Sequence, residues 1–196
     1  MEIYLWLLGA YLMGSVPFGV IISKALGGKD PRLGGSGNIG ATNVLRTQGK
    51  KAGALTLLAD FLKGALPTWC AAIFITPEWG AAAVGLSAFL GHCFPAYLMF
   101  RGGKGIATGA GVFLAISPPV LLCSIVGFAA VLKVWRYVGL ASVCASLSLP
   151  LSSYLLGENR YTVALASSFA LIATIRHLGN LRRISRGEED RFDDKE

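Results

Sequence analysis

The feature that most constrains this chain is the recurrence of long apolar runs, interrupted by short stretches dense in glycine and cations. The runs cover about Ile3–Ser23, Gly53–Thr76, Gly80–Phe100, Ile106–Ser117, Val120–Val134, Tyr137–Leu156 and Tyr161–Arg176. A membrane-crossing helix needs about 20 mainly apolar residues. Only 15% of the 196 residues are charged, against about 25% in soluble domains. The expectation is an all-α integral membrane protein of seven transmembrane helices. It forms a single domain over 1–196, ending in a charged cytoplasmic tail, about 182–196.

The fourth run is the short one. At ~1.5 Å per residue it reaches roughly 20 Å, less than a ~30 Å hydrocarbon core. The alternative joins it to the fifth as one helix kinked at Pro118–Pro119. Charge placement separates the two. With seven crossings, Lys24, Arg46, Lys50, Lys104, Lys133 and Arg176 fall on one face, and Arg160 falls on the other beside Glu78 and Glu158. Cytoplasmic loops carry the excess of Lys and Arg, so seven crossings are expected, amino end outside and carboxyl end inside. The net charge of +7 is explained by that placement rather than by nucleic acid. A short helix can be accommodated by local thinning of the bilayer. The first run lacks a basic leading region and is expected to be retained as a span. Cys70, Cys93, Cys123 and Cys144 sit inside apolar runs with no metal-ligand spacing. They are expected to be small buried residues.

Three polar stretches stand out. The first is Leu33–Lys51, which places Ser36, Gly37, Asn38, Gly40, Thr42, Asn43 and Arg46 between two runs. Glycines let backbone N–H groups approach a phosphate, and a following helix start adds donors and a positive dipole end. Gly35–Gly40 matches G-x-G-x-x-G literally, but no strand precedes it, so it is not a dinucleotide site. The second is Arg101-Gly102-Gly103-Lys104-Gly105. It lacks the early glycine and the Ser or Thr of a P-loop. It still sets N–H groups and an ammonium at a helix start, with Thr108 one turn on. The third begins at His177, three residues before Asn180, neighbours on one face if the helix continues. A histidine there suits a general base or a phosphate donor. The expected topology brings all three stretches to the cytoplasmic boundary. Asp60, Lys63 and His92 lie within runs, where ionisable groups are functional candidates. Asp60 and Lys63 could instead pair with each other, and His92 could meet a carbonyl freed by Pro95. No serine elbow, His-x-x-x-x-Asp box, metal-spaced cluster or cofactor motif occurs, so any acyl or phosphoryl chemistry must rest on positioning and electrostatics.

At these motifs the sequence resembles the bacterial acyl-phosphate-dependent glycerol-3-phosphate acyltransferases. The family's first motif is met by Ser36, Gly37, Asn38, Gly40, Thr42, Asn43, Arg46 and Gly49. The second is met by Gly102, Gly103, Lys104, Ala107 and Thr108, and the third by His177, Asn180, Arg183, Gly187 and Glu189. Leu181 and Ile184 are apolar exchanges within the third. The resemblance implies transfer of a fatty acyl group from acyl phosphate to the 1-hydroxyl of glycerol 3-phosphate, giving lysophosphatidic acid and phosphate. This is the first acylation of bacterial phospholipid synthesis. It implies an enzyme of the bacterial inner (cytoplasmic) membrane acting at the cytoplasmic face as a monomer, with no metal, cofactor or nucleic acid.

On that resemblance Ser36, Lys104, His177 and Asn180 are the catalytic candidates. Gly37, Asn38, Gly40, Thr42, Asn43, Arg46, Gly102, Gly103, Thr108, Arg183 and Glu189 are the candidates for binding substrate phosphate. Whether His177 or a substrate phosphate takes the hydroxyl proton stays open. The rival from another class is a small organic-anion transporter. Transporters place their sites near the midplane between repeats, and no repeat of helix groups occurs here.

Overall fold

The computed structural model describes residues 2–192 and is helical throughout, with no strand among the described residues. Among the described residues nine α-helices follow in order: α1 Glu2–Ser15, α2 Phe18–Ala25, α3 Ala41–Gln48, α4 Lys50–Phe74, α5 Gly80–Cys93, α6 Ile106–Ile116, α7 Pro118–Trp135, α8 Val138–Leu155 and α9 Arg160–Ser185. Single 3-10 turns lie at Pro31–Leu33 and Ala96–Leu98. Five spans are long and apolar enough to cross a membrane, or six if α1 and α2 count as one bent span. They turn Leu57, Leu58, Ile73, Leu122, Leu151 and Leu171 outward, as helices facing lipid do.

The structure revises several boundaries. The first run is not one helix: α1 and α2 meet at 42°. Pro17 causes the break, because its nitrogen cannot donate to the helix ladder and its ring displaces the preceding turn. The glycine-rich loop holds a short helix of its own, α3. The third run stops at Cys93, before Pro95. The fourth and fifth runs are separate helices, since Ser117 between them is extended (φ −151°, ψ 91°) and Pro118 opens α7. The seventh run continues nine residues further, to Ser185. Arg182 and Arg183 therefore belong to a helix rather than a tail, and residues 193–196 lie outside the described part. Cys93 is buried, but Cys70 and Cys123 are exposed and Cys144 is half-buried. The expectation of four buried cysteines is corrected, because an apolar helix in lipid needs only one face inside.

The chain divides into two compact units at the Ile116–Ser117 boundary. In the first, helix backbones touch directly. A Cβ on Gly14 would collide with the carbonyl of Ala88, and one on Gly91 with that of Tyr11, so α1 and α5 lie against each other. The same reciprocal contact joins α4 and α6, through Gly64 against Thr108 and Gly111 against Phe61. Between membrane helices, small residues gain dispersion contact where no hydrophobic drive exists. Ser87 Oγ adds a bond to the carbonyl of Leu7 at 2.7 Å. In the second unit α8 packs on α7 and α9. Ser124 Oγ donates to the carbonyl of Ala145 at 2.9 Å, and Asn159 caps α9 by accepting from the N–H groups of Tyr161 and Thr162.

Candidate active site

The first unit carries two glycine-rich loops. Residues 34–43 fold around one side chain. Asn43, 3% exposed, accepts from the N–H of Ser36 at 2.8 Å through Oδ1. Its Nδ2 donates to the carbonyls of Pro31 (2.8 Å), Asn38 (2.8 Å) and Gly34 (3.2 Å). Asn38 Oδ1 in turn accepts from the N–H of Gly40 at 2.8 Å. Both asparagines thus shape the loop, and the amide of Asn43 is bonded within it. Ser36 and Gly37 are exposed at the outer turn, with Thr42 and Arg46 half-buried behind them on α3. No side chain caps α3 at Gly40, so first-turn N–H groups remain for an anion. At the loop's root Asp30 grips Arg32, Nη2 to Oδ2 at 2.6 Å. That hydrogen bond holds the Asp30 carboxyl below, and the Arg32 guanidinium above, its ordinary range.

The second loop leads into α6. Met99 and Phe100 enter it with left-handed backbones, φ 50° and 62°, a strain that surrounding structure must hold. The N–H of Gly103 donates to the carbonyl of His92 at 3.0 Å. A Cβ on Gly102 would strike that carbonyl, and one on Gly103 would strike Nε2 of the His92 ring. These glycines are required by close approach to α5, not only by the openness that a phosphate cradle wants. Lys104 follows, half-buried. Thr108 is fully buried where α6 meets Gly64 of α4. It fills the interface between those two helices.

The third group lies in the second unit, on α9 and the segment after it. His177 is 2% exposed, and its Nδ1 lies 2.7 Å from the carbonyl of Ala173. A carbonyl only accepts, so Nδ1 bears the hydrogen, and in the neutral ring Nε2 keeps the lone pair. Glu189, 8% exposed, accepts from Asn180 Nδ2 at 2.6 Å and from Arg183 Nε at 2.7 Å. The carboxylate of the tail therefore fixes both residues one turn apart on α9. Gly139 leaves the room they need: its Cβ would lie 2.8 Å from that of Asn180.

The sequence profile of the glycerol-3-phosphate acyltransferase family matches residues 4–187. The chain belongs to that family. A glycerol-3-phosphate acyltransferase of Syntrophotalea carbinolica is 47% identical over 191 residues, covering 96% of this chain and 97% of that one. A relative of the same name from Geotalea daltonii is 44% identical, with 95% of each chain covered. Two crystal structures are similar throughout. PlsY (YgiH), an integral membrane glycerol 3-phosphate acyltransferase, in its glycerol 3-phosphate form matches with a TM-score of 0.93 and 40% identity, over 98% of this chain and 96% of that one. Its lysophosphatidic acid form matches at 0.90 and 39%.

Membership in an integral membrane family agrees with the apolar helices. The sequence motifs marked Asn43, Asn180 and Glu189 without showing that they are bound internally. Gly139 and His92 lie outside those motifs. Only a small residue at a helix start, and a histidine in an apolar run, hinted at them.

Proposed function

We propose that this protein transfers a fatty acyl group from acyl phosphate to the 1-hydroxyl of glycerol 3-phosphate. The acceptor oxygen attacks the acyl carbon, the C–O bond to the leaving phosphate breaks, and the hydroxyl proton passes to that phosphate. The products are 1-acylglycerol 3-phosphate and inorganic phosphate. The carrying observation is the match, along nearly the whole chain, to an acyltransferase solved in glycerol 3-phosphate and lysophosphatidic acid forms. Two anionic substrates require two anion-binding elements, and the first unit has two glycine loops, each beside a cation, Arg46 or Lys104. Acyl phosphate is already activated, so the chemistry asks for no cofactor or metal.

Lys104 binds the donor phosphate, and Ser36 with the N–H groups of Ala41 and Thr42 at the start of α3 offers donors to the second phosphate and the developing oxyanion. Gly37, Gly40 and Gly102 admit the anions closely, and Asn38 keeps the first loop open. In the second unit His177 orients the acceptor hydroxyl through Nε2, Asn180 donates, and Arg183 offsets charge. Glu189 positions the last two. The whole chain serves as one functional domain. It crosses the bacterial inner membrane seven times as a monomer, with α6 as a thin-bilayer span, the amino end outside and the chemistry at the cytoplasmic face.

The test is phosphate release from acyl phosphate by purified protein, with and without glycerol 3-phosphate. Acceptor-dependent release is expected. Lys104→Ala and His177→Ala should each lower it about 100-fold or more, a range typical of lost electrostatic stabilisation. Release independent of acceptor would make the protein a hydrolase. No release from folded protein, with anion flux in proteoliposomes, would make it a transporter.

A further inference from the structure

Asp60 and Lys63 in α4 and His92 in α5 are each 2–3% exposed inside apolar helices. Buried ions in a span are costly and persist where they hold something. Lys63 Nζ lies 2.8 Å from Asp60 Oδ1. Nδ1 of His92 lies 3.7 Å from the same oxygen. The contacts continue outward in two directions. Lys63 Nζ donates to the carbonyl of Val16 at 2.9 Å, at the break between α1 and α2. Three residues on, Gly19 packs against the carbonyl of Ile39, inside the first glycine loop. On the other side, the carbonyl and ring of His92 clamp Gly103, the residue before Lys104.

We propose that Asp60, Lys63 and His92 are positioning residues, a buried charged latch that sets the Lys104 loop in register with the loop at residues 34–43. This rests on the proposed role of Lys104. None of the three need touch substrate. Asp60 lies between a lysine that holds the α1–α2 break, against which the first loop packs through Gly19, and a histidine that holds the second loop. One carboxylate oxygen accepts from Lys63 at 2.8 Å and faces the His92 ring nitrogen at 3.7 Å, a directional arrangement that a purely apolar core cannot reproduce. Ions are retained here because they give direction, whereas apolar packing would give only cohesion.

The test uses a variant that removes both charges together, Asp60→Asn with Lys63→Met, so that no single ion is stranded. A second, His92→Phe, keeps a ring but not its nitrogens. Each is purified in detergent and carried forward if it melts within a few degrees of wild type. Two readouts are taken: acceptor-dependent phosphate release, and amide hydrogen exchange over residues 101–105. The expected result is turnover lowered about 10- to 100-fold, together with faster exchange at 101–105. Turnover within twofold of wild type overturns the proposal, and so does unchanged exchange with lost turnover. If wild type itself shows no acceptor-dependent release, the acyltransfer reading fails instead. The exchange then decides alone whether the latch holds the loop.

Discussion

The two glycine loops of the first unit have similar compositions and opposite constructions. Residues 34–43 carry their own scaffold: one neutral amide, Asn43, ties the N–H of Ser36 to three carbonyls around it. Residues 101–105 borrow theirs from α5, whose His92 supplies both the backbone acceptor and the surface they lie on. Even the glycines differ. Gly37 has φ +68° and open space, its nearest approach to Arg32 being 3.6 Å. Gly103 has no positive φ, but no space either. Gly37 is needed for its backbone, Gly103 for its neighbour. A loop that holds itself breaks from within, and a loop that is held breaks from a distance.

The sharpest way to break the comparison is to put a methyl group on each. Gly103→Ala must move His92 or the loop, a clash of about 1–3 kcal/mol. It should lower phosphate release about 100-fold. Gly37→Ala costs about 1–2 kcal/mol of left-handed backbone strain and should lower release far less. Asn, which tolerates that backbone, should restore Gly37 but not Gly103. If the two alanine variants fall equally, the distinction is wrong.

A smaller effect is expected at the amide hub. Asn43→Ala removes the bonds to the N–H of Ser36 and three carbonyls, of which only the Pro31 bond is buried, at about 1–3 kcal/mol. Asn43→Asp should be no milder, although it keeps the acceptor, because a carboxylate would face three carbonyls with nothing to donate. Thermal melting and turnover read this together. Rescue by Asp would mean that Oδ1 alone matters.

The smallest effect belongs to the root of the same loop. The carboxyl of Asp30 is held below its ordinary range by Arg32. Its contribution is therefore complete above the usual aspartate pKa of about 3.9 and is lost as pH falls through the lowered value. At pH 7 Asp30→Asn should lie within about 1 kcal/mol of wild type, the ordinary worth of an exposed pair. Melting curves of the two should converge as acid protonates the native carboxyl. A gap that persists in acid would assign the effect to packing.

Much of this was legible in the sequence, for identifiable reasons. Apolar length and low charge gave helices, and Pro118–Pro119 marked the start of α7. Glycine, asparagine and cations marked the loops. What was not legible depended on contacts between distant residues. That Asn43 faces inward follows from carbonyls as far back as Pro31. That Gly102 and Gly103 are spacers follows from where α5 ends. The break at Pro17 is local, yet an apolar run with one proline also reads as a kinked but continuous helix, and only its packing decides. The length of α9 was hidden because Arg182 and Arg183 look like a tail. They stay helical because Glu189 returns to the helix and accepts from Arg183 and Asn180.

The spacing of Asp60 and Lys63 matters before the protein is complete. A chain enters the bilayer in the order it is made, and α4 is threaded some 30 residues before His92 exists. An isolated ion at the centre of an inserting helix costs about 3 kcal/mol on the scale of the insertion machinery. Three residues apart, the two opposite charges lie on one helical face and travel as a neutral dipole. The helix thus carries its own counter-ion through biogenesis, and α5 arrives afterwards to find the carboxylate already oriented.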